Sequence, residues 1–152
     1  MNFNNYTIKS QEAIQQAQQI ATGLEQQAIE TGHILKGILE VDENVAPFIL
    51  SKLGINTNAF KQTLDKIVES YPKVSGGNQY LSQNANKALQ KATAYLKEFK
   101  DEYVTIEHLL LALLDAGDTV AQFMKDNGIK EKEMKAAIQE LRKGEKVTSQ
   151  SQ

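Results

Sequence analysis

An all-α domain of eight helices, arranged as two tandem four-helix repeats about a pseudo-two-fold axis, is the fold this sequence predicts. Three observations carry it. First, the chain matches itself at an offset of 75 residues: His33 falls on His108, Ala13 on Ala88, Gln15 on Gln90, Ala17 on Ala92, Leu35 on Leu110, Leu39 on Leu114 and Phe48 on Phe123. After a one-residue deletion the offset becomes 74, and Gly54 meets Gly128, Ile55 meets Ile129 and Lys61 meets Lys135. A match sustained through apolar positions and helix-ending glycines marks a duplicated supersecondary unit. Second, apolar residues recur at spacings of three and four almost everywhere. Third, capping and stop residues stand where that periodicity begins and ends.

The elements follow in order. Thr7 is placed to cap a first helix whose stripe is Ile8, Ala13, Ile14, Ala17, Ile20, Ala21 and Leu24. A second helix opens after Thr31 and, with Ile34, Leu35, Ile38 and Leu39, is apolar on two faces, as a central helix should be. Pro47 suits the first turn of the third helix, and Gly54 follows its last residue, Leu53. Thr57 is expected to cap a fourth helix carrying Phe60, Leu64, Ile67 and Val68. The second repeat uses Ser82, Thr105 and either Thr119 or Asp118 as caps, with Gly128 as a stop and Met134, Ala137, Ile138 and Leu141 on the eighth helix. These boundaries predict one domain over 1–148: a first repeat at 7–70, a linker at 71–81 rich in turn formers and lacking helical period, and a second repeat at 82–143. The polar, aperiodic residues 144–152 read as a flexible tail.

Composition narrows the function. With 152 residues, 41% of them hydrophobic, the chain can bury a core without covalent staples, and it has no cysteine with which to form one. A polar N-terminus and the lack of any long apolar run argue against a membrane role and for a cytoplasmic protein. A net charge of −2 and no basic cluster interleaved with aromatics argue against nucleic acid. The phosphate-loop, nucleophile-elbow and zinc-hydrolase patterns are missing, so neither catalysis nor a metal is expected. His33 and His108 occupy equivalent positions in the first turns of central helices, where a ring nitrogen can bond nearby backbone; duplication alone explains the pair. Glu107 has Gly32 as its counterpart, so the shared architecture does not require the acid; Asp101 lies in the loop before it. Several aromatics, Tyr71, Tyr80, Tyr95, Phe99 and Tyr103, gather around the linker and that loop.

The stretch Val104-Thr105-Ile106-Glu107-His108-Leu109-Leu110 and its echo Thr31-Gly32-His33-Ile34-Leu35 resemble the Clp N-terminal domain of the Hsp100 unfoldases. So do the opening Phe3-x-x-Tyr6-Thr7-x-x-Ser10, the Gly-Gly linker followed by Tyr80-Leu81-Ser82, and Leu141-Arg142-Lys143-Gly144-Glu145-Lys146-Val147. The resemblance covers residues 3 to about 148 and is strongest to the disaggregase branch. It implies a non-catalytic domain, tethered by 144–152 to an AAA+ motor that holds the ATP and Mg, within a hexamer that cooperates with the Hsp70 system. It implies binding of unfolded or aggregated polypeptide; the family's substrate-contacting polar positions fall on Thr7, Asp101 and Glu107. Tyr80, Leu81, Leu89, Tyr103 and Val104 would supply an adjoining hydrophobic groove with an acidic edge suited to apolar and basic segments. The competing implication is docking of a folded adaptor protein, as in unfoldases that serve the Clp protease. Protease-partnered relatives carry a glutamate before both histidines, a pair associated with phosphorylated arginine; Gly32 breaks that pair and argues against such recognition. The isolated domain is expected to be a monomer, because repeats that pair internally leave no obligatory apolar face.

Overall fold

The computed structural model describes residues 2–74 and 76–152; Met1 and Ser75, the latter within the expected linker, lie outside the described residues. Among the described residues the order is α1 (Ile8–Gly23), β1 (Ala28–Ile29), α2 (Thr31–Val41), α3 (Val45–Lys52), α4 (Thr57–Glu69), β2 (Tyr80–Leu81), α5 (Gln83–Phe99), α6 (Ile106–Leu114), α7 (Thr119–Asp126) and α8 (Glu131–Arg142). The eight helices fall into the two expected sets of four, α1–α4 and α5–α8.

Most ends are set by the residues the sequence nominates. Thr7 Oγ1 accepts from the Ser10 N–H at 3.2 Å, Ser82 Oγ from the Ala85 N–H at 3.0 Å and Asp118 Oδ1 from the Ala121 N–H at 2.9 Å. Gly54 and Gly128 hold φ of +73° and +90°, the left-handed stop that residues with a Cβ rarely adopt. The fourth helix departs by one residue: Asn56, not Thr57, is its cap, with Oδ1 accepting from the Ala59 N–H at 3.0 Å. α3 borrows its cap from two residues upstream, where the Asp42 carboxylate accepts from the N–H groups of Asn44, Val45 and Ala46.

The core lies along α2 and α6. Every residue of α6 is buried, and each central helix packs against the long first helix of its own repeat. In repeat one the approach is close because the facing residues are small: a Cβ on Gly37 would stand 2.5 Å from the Ala13 carbonyl oxygen and 3.0 Å from the Ala17 nitrogen. Phe60 of α4 and Phe123 of α7 join the repeats, with ring centroids 4.5 Å apart.

The two strands leave no mark in the sequence pattern, since two residues are too few to show a period. They pair in parallel, Ala28 with Tyr80 and Ile29 with Leu81, and a separate bridge joins Tyr6 to Val104. Shifting Ile29 and Tyr6 by the repeat offset gives Val104 and Leu81, so the two-fold axis exchanges the pairings. The segment leading into the first helix of each repeat thus pairs with the other repeat. The Thr7 N–H donates to the Val104 carbonyl and, equivalently, the Ser82 N–H to the Ile29 carbonyl, both at 3.0 Å.

Beyond α8 the chain returns to the domain. α8 stops at Arg142, and Lys143 and Gly144, with φ of +51° and +87°, turn the chain back onto the domain. There Val147 is buried, its N–H donating to the Asp101 carboxylate and its carbonyl accepting from the Glu102 N–H. A polar, aperiodic composition says a segment will not form a helix; it does not say that the segment is undocked.

Candidate functional site

Two equivalent sites surround the duplicated histidines, and they have diverged in charge. In repeat two, Thr105 caps α6 and its N–H donates to His108 Nδ1 at 3.0 Å, which leaves the proton on Nε2. That nitrogen stands 2.9 Å from Asp101 Oδ2, an oxygen that also accepts from Arg142 Nη1 at 2.6 Å. Arg142 also donates through Nε to Glu107 Oε2 at 2.8 Å and lies against the Phe99 ring. The Asp101 side chain is fully buried, and those of Arg142 and Glu107 are 7% and 9% exposed. Burial pulls the guanidinium pKa down, but the Glu107 and Asp101 carboxylates outweigh it and hold it above its ordinary value.

Repeat one builds the same frame from neutral groups. The Glu30 N–H donates to His33 Nδ1 at 2.9 Å, and Nε2 meets Gln26 Oε1 at 2.6 Å. Gln26 stands 75 residues before Asp101, so an amide replaces the carboxylate, and it donates to the Val68 carbonyl at 2.7 Å. A Cβ at Gly32, the counterpart of Glu107, would lie 2.5 Å from the Tyr71 hydroxyl oxygen, so Tyr71 fills the space that Glu107 occupies in repeat two. Burial, with a smaller push from Lys36, lowers His33 to a pKa of about 4. Burial likewise lowers His108 to about 4, against the opposing pull of Asp101. Both rings are neutral at pH 7. Among the described residues, no three His, Asp or Glu side chains are grouped to hold a metal, and no helix is long and apolar enough to cross a membrane.

Beside the charged cluster opens a cleft of about 470 Å³ between the start of α1, the α2–α3 turn, the start of α6 and the returning tail. Thr7, Ile8, Val45, Ile106, Glu107 and Leu141 line it, with Lys9, Glu12, Glu145 and Lys146 also on its wall. Of the residues nominated from the sequence, Thr7 and Glu107 reach this cleft. Thr7 is itself buried as a helix cap, and Asp101 sits behind the wall. Val104 is buried in the bridge to Tyr6, and Leu89 is buried in the core on α5. Tyr103 is partly buried in the loop before α6 and does not line the cleft. Tyr80 and Leu81 belong to the other crossed pairing; Tyr80 is exposed, and neither lines this cleft. The eight positions therefore do not make one groove. Asp101 and Glu107 are both paired to Arg142, whose single positive charge balances one of the two carboxylates.

Four residues that the sequence reading did not nominate matter here. Ile8, counted with the apolar stripe of α1, is 51% exposed at the cleft. Its place before the first full turn, next to the cap, was the available signal. Arg142 carried a weaker one, as a cation at a helix end in a chain with two unexplained acids. Val147 and Gln150 carried none, because their role depends on the reversal of the tail.

The family model for the Clp repeat (R) N-terminal domain matches residues 5–127. The chaperone protein ClpB of Bacteroides thetaiotaomicron is 58% identical over 151 residues, taking in 99% of this chain and 18% of that protein. ClpB of Porphyromonas gingivalis is 45% identical over the same length, with 99% and 18% covered. The chain thus spans less than a fifth of the curated relatives it matches. Among solved structures, the Hsp104 N-terminal domain from Candida albicans superposes with a TM-score of 0.85 at 20% identity, covering 97% of both chains. A ClpV N-domain in complex with VipB peptide superposes at 0.76 and 16% identity, covering 96% of this chain and 92% of that one. At these identities the two structures speak to the fold alone.

Proposed function

Since this chain belongs to the Clp repeat N-terminal domain family, we propose that it is the recognition domain of a ClpB-type disaggregase, binding exposed segments of unfolded or aggregated polypeptide and passing them to an ATP-driven motor. The motor, with its ATP and Mg, belongs to other domains of the longer, hexameric, cytoplasmic protein, which works with the Hsp70 system. The observation that carries the reading is the open cleft with a half-exposed isoleucine at its mouth. Apolar side chains left in water beside unfilled space bind what folded proteins hide. The peptide named with the ClpV N-domain supports peptide binding as a use of this fold.

The cleft selects on exposure of apolar side chains. Arg142 offsets one of the two buried acids, so the preference for basic segments that an acidic edge would confer is reduced to the pull of a single negative charge. A shallow site that must order a flexible ligand binds weakly, with Kd on the order of 10–100 µM. Six copies around one motor offset that by raising effective concentration.

The test is a backbone-amide NMR titration with an unfolded, apolar-rich peptide. Saturable shifts near Ile8, Ile106 and Leu141, weakened about fivefold or more by Ile8→Ser, are expected. No response to several unrelated peptides, with a response to one folded protein, would replace this reading with adaptor docking.

A further inference from the structure

We propose that residues 146–150, which form one wall of this cleft, act as an internal ligand of the surface beneath them, and that an extended peptide binds by displacing them and taking over their main-chain bonds. The inference rests on the peptide-binding reading and gives it a chemistry. Three of the contacts that hold the tail use its backbone. The Val147 N–H donates to Asp101 Oδ1 at 2.9 Å, the Val147 carbonyl accepts from the Glu102 N–H at 2.8 Å, and the Gln150 carbonyl accepts from the Ile8 N–H at 2.8 Å. The Gln150 side chain adds donation to the Asn4 carbonyl at 2.7 Å. One side chain is captured: Val147, 8% exposed, between solvent-exposed Lys146 and Thr148.

Around Val147 this is how a site reads an extended segment, with backbone bonds that any sequence can make and a pocket for one aliphatic residue; the chain then turns at Ser149 and Gln150. Such a site tolerates many sequences while rejecting folded chains, whose backbone groups are already paired. The tail is also held lightly. It has a single buried side chain, and apart from the buried bond from the Val147 N–H to Asp101 its side-chain contacts lie at or near the surface, the profile of a segment that opens without global unfolding. The turn that delivers it stores strain, since Lys143 is a non-glycine residue at φ +51°. The ligand class is therefore an extended polypeptide with a valine-sized aliphatic side chain, and its binding frees the segment that follows α8.

The full 152-residue chain and its Val147→Asp variant provide the test. An aspartate there buries a second carboxylate beside Asp101 and ejects the tail. The probes are a synthetic peptide copying residues 144–152 and an unrelated unfolded apolar-rich peptide. With the tail docked in at least about nine molecules of ten, the variant is expected to bind either peptide about tenfold more tightly than the unaltered chain. In the unaltered chain, saturation with either peptide should abolish hydrogen-exchange protection at the Val147 amide, a readout that needs no variant. Equal affinity in both proteins, with Val147 still protected at saturation, would overturn the internal ligand and leave peptide recognition standing. Binding of neither peptide to either protein would overturn both readings. Should the variant fail to fold, the exchange result on the unaltered chain decides.

Discussion

Arg142 is the residue on which the charged cluster depends. It pairs with two carboxylates that the fold has largely removed from water, so its loss strands both. Arg142→Ala is expected to destabilise the domain by about 3–5 kcal/mol, and adding Asp101→Asn and Glu107→Gln should recover most of that, as read by chemical denaturation. The same logic warns that Asp101→Ala or Glu107→Ala would report on stability before it reported on binding. The histidines make a second prediction. Each has a folded pKa of about 4 against 6.5 for the unconstrained group, so between those values the unfolded chain binds more protons. Stability is therefore complete above about pH 6.5 and falls as pH drops toward 4, with a loss of about 2 kcal/mol per histidine by pH 5. Denaturation at pH 7.5 and 5.0 measures it, and His33→Gln should remove part of the difference. The sequence made the structural use of both histidines legible, because their spacing from the helix starts was duplicated. It could not display the roles of Asp101 and Glu107, since their partner is 35 or more positions away in the chain.

Helices and their ends were legible almost throughout, because a cap is a local event and period is a local pattern. The misplaced cap at Thr57 shows the limit: Asn56 and Thr57 are both good caps, and only backbone conformation chooses between them. Asn56→Ala should cost about 1 kcal/mol in thermal or chemical unfolding, while Thr57→Ala should cost less. What local pattern does not encode is how closely two helices approach. Gly37 looks like a flaw in a buried helix until the α1 backbone is seen beside it. Gly37→Ala gains about 1 kcal/mol of helix propensity yet should lose about 1–2 kcal/mol net, because the new methyl group meets main chain that cannot rotate away. Denaturant midpoints would give both values, and a stabilised Gly37→Ala variant would show that α1 and α2 can separate freely.

At the scale of the molecule the repeats are expected to unfold as one body. Phe60 is buried against Phe123 of the other repeat, and each repeat is entered through a segment paired to its twin. Phe60→Ala is expected to cost about 3–5 kcal/mol and to move the unfolding midpoints reported by amides of α2 and α6 together; separate midpoints would mean independent halves. The duplication, visible as identities at a fixed offset, made the two-fold arrangement legible, but not the exchange of entering strands, because a self-alignment shows which residues correspond and not which ones touch.

That exchange has a consequence for ancestry. In a chain carrying one repeat, the arm ahead of the first helix would have no second loop to pair with, and its bond could close only on another molecule. Two such chains trading arms would form a two-fold homodimer with both pairings satisfied. Joining them head to tail would leave the contacts as they are and turn a bimolecular assembly into a unimolecular one, after which each half was free to mutate alone. The amide at Gln26 and the carboxylate at Asp101 are the mark of that freedom: symmetric positions that no longer share one codon.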